Sequence, residues 1–138
     1  MTRSFRLLLL AVCAVALVGA APLPVARLSC RPEAGPGRVL CELEVEAPAS
    51  QRLTWADALV VEAPAFAAPL RARVGSSQAT ARTDSRIRLP VALGATHAGE
   101  GLLRVKARYV TCPSAPGPCS SGTHTVEAAV RVGASSEP

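Results

Sequence analysis

The chain has 138 residues, of which 15 are Lys or Arg and 10 are Asp or Glu, for a formal charge of +5. That length suits one domain, and so modest a charge argues against nucleic acid as a partner. Aromatic residues make up only 3%, so any core must be built of Val, Leu, Ile and Ala, with Trp55, Phe66 and Tyr109 as its few large pieces.

The first twenty residues read as an export signal, outside the fold. Arg3 and Arg6 form a basic start, Leu7 to Val18 is an unbroken apolar run, and Val18 and Ala20 occupy the −3 and −1 positions of a small-residue cleavage site. Gly19, Pro22 and Pro24 stop the run short of the roughly 20 apolar residues that a membrane span needs. An uncleaved anchor and a lipoprotein signal at Cys13 are the weaker readings. Cleavage after Ala20 leaves 118 residues with 13 basic against 10 acidic side chains, a net +3, and no integral membrane segment. The predicted address is secreted or periplasmic.

From Ala21 the chain alternates. Val25 to Cys30 is a plausible strand, and RPEAGPG (31–37) a turn. Arg38 to Glu46 is the clearest strand: Val39, Cys41, Leu43 and Val45 point one way, Arg38, Glu42, Glu44 and Glu46 the other. Leu53 to Ala63 is ambiguous, with a strand favoured over Leu59 to Ala63 between Pro48 and Pro64. Leu70, Ala72 and Val74 alternate with Arg71 and Arg73. Gln78 to Thr83 reads as an exposed edge.

In Arg86 to Leu93 the residues Ile87, Leu89, Val91 and Leu93 share a face, and Pro90 predicts an edge or a bulge, because it has no N–H for a ladder. GATHAGEG (94–101) reads as a flexible connection. Leu102 to Thr111 sets Leu103, Val105, Ala107 and Tyr109 against Arg104, Lys106 and Arg108. Thr123 to Val132 gathers His124, Val126, Ala128, Val130 and Val132. Residues 133–138 read as a disordered tail. Seven to eight short strands with turns between them predict an all-β, immunoglobulin-like β-sandwich over residues 21–132.

Four cysteines remain after cleavage, and an even number in an exported chain reads as disulfides. Each of Cys30–Cys41 and Cys112–Cys119 brackets a Pro/Gly turn, which favours these local pairings over the two other possibilities. The chain-entropy model gives the two closures roughly 2.8 and 2.5 kcal/mol. Cys112–Cys119 has two readings: a passive staple, or a redox couple with an attackable sulfur.

Recognisable enzyme apparatus is missing from the sequence: no phosphate-binding glycine loop, no nucleophile elbow, no H-E-x-x-H and no clustered carboxylate pair. No cofactor is expected. Cys112, Cys119 and His124 form an incomplete zinc set that needs reduced thiolates and a fourth ligand, so no metal is expected either. His97, in its glycine-rich loop, reads as a solvated side chain. Trp55 with Asp57 reads as a core or loop anchor, or else as a ligand surface. Arg86, Arg88, Arg104, Lys106 and Arg108 form either a solvated sheet face paired to Glu42, Glu44 and Glu46 or a surface that faces an anion.

The run LLRVKARYVTC, followed by a second cysteine and a last Val-rich strand, resembles the disulfide-corrector-type, immunoglobulin-like N-terminal domain of periplasmic thiol:disulfide interchange proteins, mainly over residues 102–132. Tyr109, Cys112 and Cys119 fall on that family's Tyr-x-x-Cys, loop and second Cys. The resemblance implies a redox role for Cys112 and Cys119. The reading from the residues themselves is an exported, non-enzymatic module that binds a protein or an envelope polymer, or plays a structural part, with thiol–disulfide exchange as the alternative. N-terminal sequencing of the exported protein is expected to begin at Ala21, and recovery of intact Met1 from the cytoplasm would contradict the leader.

Overall fold

The computed structural model describes residues 22–134. The expected leader (1–20) and residues 135–138 of the expected tail lie outside the described residues. Nine strands follow in order: β1 (Val25–Cys30), β2 (Gly37–Glu46), β3 (Gln51–Glu62), β4 (Ala67–Pro69), β5 (Arg73–Val74), β6 (Ala81–Arg82), β7 (Arg86–Ala95), β8 (Gly99–Pro113) and β9 (Ser120–Val132). A single 3-10 turn, Ser76–Gln78, stands between β5 and β6. All strand pairings are antiparallel. The first sheet runs β1-β2-β7-β4, with β6 also on β7, and the second runs β5-β3-β8-β9. The described residues therefore form an all-β sandwich of nine strands.

Alternation places the core between the sheets. Val39, Leu43, Val45, Ile87, Leu89, Val91 and Leu93 of the first sheet are fully buried, as are Ala56, Ala58, Leu103, Val105, Ala107 and Val130 of the second. In β7 every second residue is buried and the others are half-buried, the pattern of a strand with one face in a core. Tyr109 is the one aromatic ring within this buried layer.

Pro90 lies within β7, opposite Glu42 of β2. On the other side of β7 the carbonyls of Arg86, Arg88 and Ala92 accept from Thr83, Thr80 and Leu70, so the even-numbered residues present their backbone to that side. There β6 covers Ile87 and Arg88, and β4 covers Leu93 to Ala95. Pro90 thus turns its donorless nitrogen into the gap between the two short strands, where a missing N–H costs little.

Other expectations are corrected. The ambiguous segment is one long strand, β3, rather than Leu59 to Ala63 alone, because fifteen-residue β8 offers it a ladder from Gln51 to Glu62. A register shift between Leu53 and Trp55 adds a residue, a bulge that hands the inner face from Leu53 to Ala56 and Ala58. The strand expected across Leu70 to Val74 shortens to Arg73–Val74, and Leu70 is exposed on the first sheet, against Gly94. Gln78 to Thr83 gives only β6 after the 3-10 turn. GATHAGEG is mostly strand, since β7 runs to Ala95 and β8 starts at Gly99.

Gly122 faces Tyr109 across the β8–β9 ladder. A Cβ on Gly122 would come within 2.5 Å of the Tyr109 ring, so the tyrosine fills the space that the missing side chain leaves. Gly122→Ala is expected to lower stability by about 1–3 kcal/mol through overpacking, read by chemical denaturation. An unchanged midpoint would mean that the ring moves aside freely.

Candidate functional site

The structure brings several of the singled-out residues to the outer face of the second sheet, at the end where the β8–β9 connection closes. Because Tyr109 and Thr111 point into the core, Arg108, Val110 and Cys112 point outward. After its bulge β3 presents Trp55, Asp57 and Leu59 beside them, paired with Val110, Arg108 and Lys106. On the far side β9 contributes Ser121, Thr123 and Thr125, opposite the same three residues. A shallow trough of about 310 Å³ runs between Trp55, Arg108, Val110, Ser121 and Thr123.

Asp57 is the unexpected part. Its residue is fully buried although it sits on an outer face, because two arginines roof it. Arg108 donates from Nε to Oδ1 at 2.8 Å and from Nη2 to Oδ2, and Arg73 donates from Nε to Oδ2 at 2.8 Å. Loss of solvent alone would raise the carboxyl pKa. The hydrogen bonds from Arg108 and Arg73, with their positive charges, outweigh that and hold it below the ordinary value. The Asp57 bond and charge in turn raise the Arg108 pKa. The Arg108 guanidinium also lies 5.8 Å from the centre of the Trp55 ring, within cation–π range. One carboxylate thus joins β3 to β5 and β8, and Trp55 anchors the arginine from the side.

Both expected disulfides are formed. Cys30–Cys41 joins directly opposed residues of β1 and β2, with Cys41 buried. Cys112–Cys119 joins positions one step beyond the Thr111–Ser120 pair, with Cys112 half-buried and Cys119 exposed. Arg52 stands opposite Cys112 on β3, and the Cys112 sulfur lies 4.0 Å from the Thr54 hydroxyl. The two basic residues nearest in sequence to the disulfide, Arg108 and His124, do not serve it. Arg108 is committed to Asp57, and His124 stacks on Tyr109 at 5.5 Å in the interior, with its Nε2 buried and unpartnered. Burial raises the Tyr109 phenol pKa.

The zinc set does not assemble, since Cys112 and Cys119 are bonded to each other and the described residues hold no cluster of three or more metal-ligating side chains. His97 is exposed and its Nδ1 pairs with the Thr96 hydroxyl at 2.8 Å.

The five basic residues are not brought together. Arg86 and Arg88 lie on the first sheet and Arg104, Lys106 and Arg108 on the second, because the strands that carry them belong to opposite layers. Arg88 reaches Glu44 at 2.8 Å, Arg86 reaches Glu46 at 3.3 Å, and Arg104 reaches Glu127 at 2.7 Å. Lys106 has no carboxylate within salt-bridge distance among the described residues.

No protein-family model matches the chain, and no curated protein matches it. Among solved structures, BslA, described as a bacterial hydrophobin, is 14% identical, with the match covering 85% of this chain and 100% of that one at a TM-score of 0.37. A similarity that low carries no argument about fold or function here.

The Asp57 geometry sets a pH dependence. A carboxyl whose folded pKa lies below its unfolded value contributes stability above the unfolded pKa, near 3.9, and loses it as pH falls through the folded pKa. Asp57→Asn is expected to lower stability at neutral pH by about 1–3 kcal/mol, and to flatten the acid limb of a stability–pH curve below about pH 4. Equal acid sensitivity in wild type and variant would show that Asp57 is not tied in this way.

Proposed function

We propose that this protein is an exported, non-enzymatic β-sandwich of immunoglobulin-like kind, stapled by two local disulfides, that serves as a binding or structural module toward a protein or an envelope polymer. The observation that carries this reading is the placement of both disulfides. Each closes a hairpin between paired strands of a single sheet, and the described residues hold no metal-ligating cluster at either. Two such bonds in so small a chain fit an oxidising compartment. They also suit a domain whose core has one buried aromatic ring, because covalent closure adds stability that a thin core supplies less of. The surface offered to a partner is the outer side of the second sheet, where Lys106, Thr123 and Thr125 are exposed around the half-buried Trp55.

The second reading, thiol–disulfide exchange at Cys112 and Cys119, is favoured by one observation: the Cys119 side is exposed while Arg52 stands across from Cys112, an arrangement that admits attack on Cys119 and stabilises a leaving Cys112 thiolate.

Measured reduction potentials separate the two readings. A staple is expected to lie below about −300 mV and to exchange slowly with thioredoxin-like donors. Joint Cys112→Ala and Cys119→Ala replacement is expected to lower stability by about 2–4 kcal/mol with the strands intact. A potential of about −200 mV, or rapid trapping of a mixed disulfide on Cys119 in Cys112→Ala, would establish exchange instead.

A further inference from the structure

The sandwich ends in four kinds of strand edge, and three are blunted. β5 and β6 have two residues each, and β4 has three and ends in Pro69. β1 has six, carries Arg27 and is bracketed by Pro22, Pro24 and Pro32. β9 differs: thirteen residues at the end of the second sheet, with neither lysine nor proline in it. Folded proteins ordinarily blunt long edges with short strands, lysines, prolines or covers, because an open row of N–H and C=O groups pairs with another strand.

The cover on β9 is partial: β1 runs close to its C-terminal half, where Leu28, Ser29 and Cys30 share a cleft with Ala128, Ala129 and Arg131, but the two strands form no ladder. Glu33 donates its N–H to the Arg131 carbonyl and accepts from the Gly133 N–H, an isolated parallel bridge that closes the last turn of the edge. These two bonds also fix the phase: the odd-numbered residues of β9 present their backbone away from β8. Ser121, Thr123, Thr125, Glu127 and Ala129 therefore carry five outward N–H and five outward C=O groups, and the described residues supply no backbone partner for them.

We infer that β9 is a docking edge for a second copy of this chain, paired antiparallel about a two-fold axis at Thr125. In that register Thr125 faces Thr125, Thr123 faces Glu127 and Ser121 faces Ala129, so all five residues are used in both copies. The partner strand begins at Ser120, opposite Val130, and stops short of Glu33. Neighbouring registers fail on the same residues. An axis at Glu127 sets two carboxylates against each other, which is unfavourable across a sheet. An axis at Thr123 leaves the Glu127 and Ala129 groups without partners. An axis at Val126 runs into the Arg131 carbonyl that Glu33 already holds, and one at His124 leaves Ala129 beyond the end of the partner strand. The pairing is isologous, so it closes at a dimer rather than running on into a fibre. It joins two four-stranded sheets into one of eight strands and lies beside the half-buried His124 and Val126, while Ala128 faces the cleft shared with β1.

The test uses the purified full chain on a Cys13→Ala background. Sedimentation equilibrium is expected to show a concentration-dependent dimer. Thr125→Pro removes an N–H that points away from β8, so it is expected to unfold like wild type yet remain monomeric. Thr125→Lys, which sets two ammonium groups together on the axis, is expected to be monomeric as well and serves if the proline variant does not fold. A short bismaleimide is expected to cross-link Thr125→Cys into dimers and to leave Thr123→Cys monomeric, because only residue 125 meets its own copy. The inference is overturned by a wild-type monomer at all concentrations, by a foldable Thr125 variant that still dimerises, by equal cross-linking at 123 and 125, or by an edge that pairs only with an added foreign peptide.

Discussion

Two sheets lie face to face on a layer of aliphatic side chains, and everything else about this protein is arranged around the thinness of that layer. With Val, Leu, Ile and Ala on both inner faces and Tyr109 as the buried ring, no bulky side chain is available to fill a mismatch. Packing must then come from strict alternation over long strands, which is how β2, β7 and β8 are built. A single misplaced residue would carry a polar side chain into the core. Where the chain does depart from alternation, at the two register shifts of β3 (Leu53/Trp55 and Val60/Glu62), small residues take over after the first: Ala56 and Ala58 follow Leu53 on the inner face.

That first shift has consequences on the opposite side. By shifting the phase of β3 it sends Trp55 and Asp57 outward next to Arg108. A carboxylate there would normally stay wet. Arg108 and Arg73 close over it instead, and the result is a cluster of one buried carboxylate and two partly exposed arginines on the outside of a sheet, tying the two-residue strand β5 to the long strands beside it. Breaking one partner of such a cluster costs more than the cluster contributes in net stability, because the remaining charges lose their counterion. The disulfides have the complementary effect at the two hairpin ends, where the ladders of β1–β2 and β8–β9 close over Pro/Gly-rich loops.

The two outer faces carry different chemistry for the same topological reason. β2 and β7 are neighbours, so Glu42, Glu44 and Glu46 meet Arg86 and Arg88 and the first sheet neutralises itself. On the second sheet Arg104 is matched by Glu127 and Glu62, and Arg108 by Asp57. What is left is a face of Trp, Ser and Thr with Lys106, ending at β9, whose outward backbone groups from Ser121 to Ala129 have no strand partner among the described residues. Surface and edge therefore adjoin each other, and a partner that met one would lie beside the other.

Period-two alternation by itself determined the strands with one buried face, namely β1, β2, β7, β8 and β9, together with the inward sets such as Leu103, Val105, Ala107 and Tyr109, because that pattern is a local property of the chain. Turn chemistry between cysteines likewise indicated both disulfides, since their loops close within a hairpin. The sequence also marked Pro90 as a place where a ladder must be interrupted, though which neighbours leave the gap is a matter of the assembled sheet. Only the tertiary structure decided which strands share a layer, and so divided the five basic residues between two faces. It alone showed that β3 runs the length of β8, that Asp57 is buried, that Arg52 stands opposite Cys112, and that Glu33 closes one end of β9. Each of these depends on pairings between residues far apart in the chain, and such pairings are set by the fit of whole strands and not by any local signal.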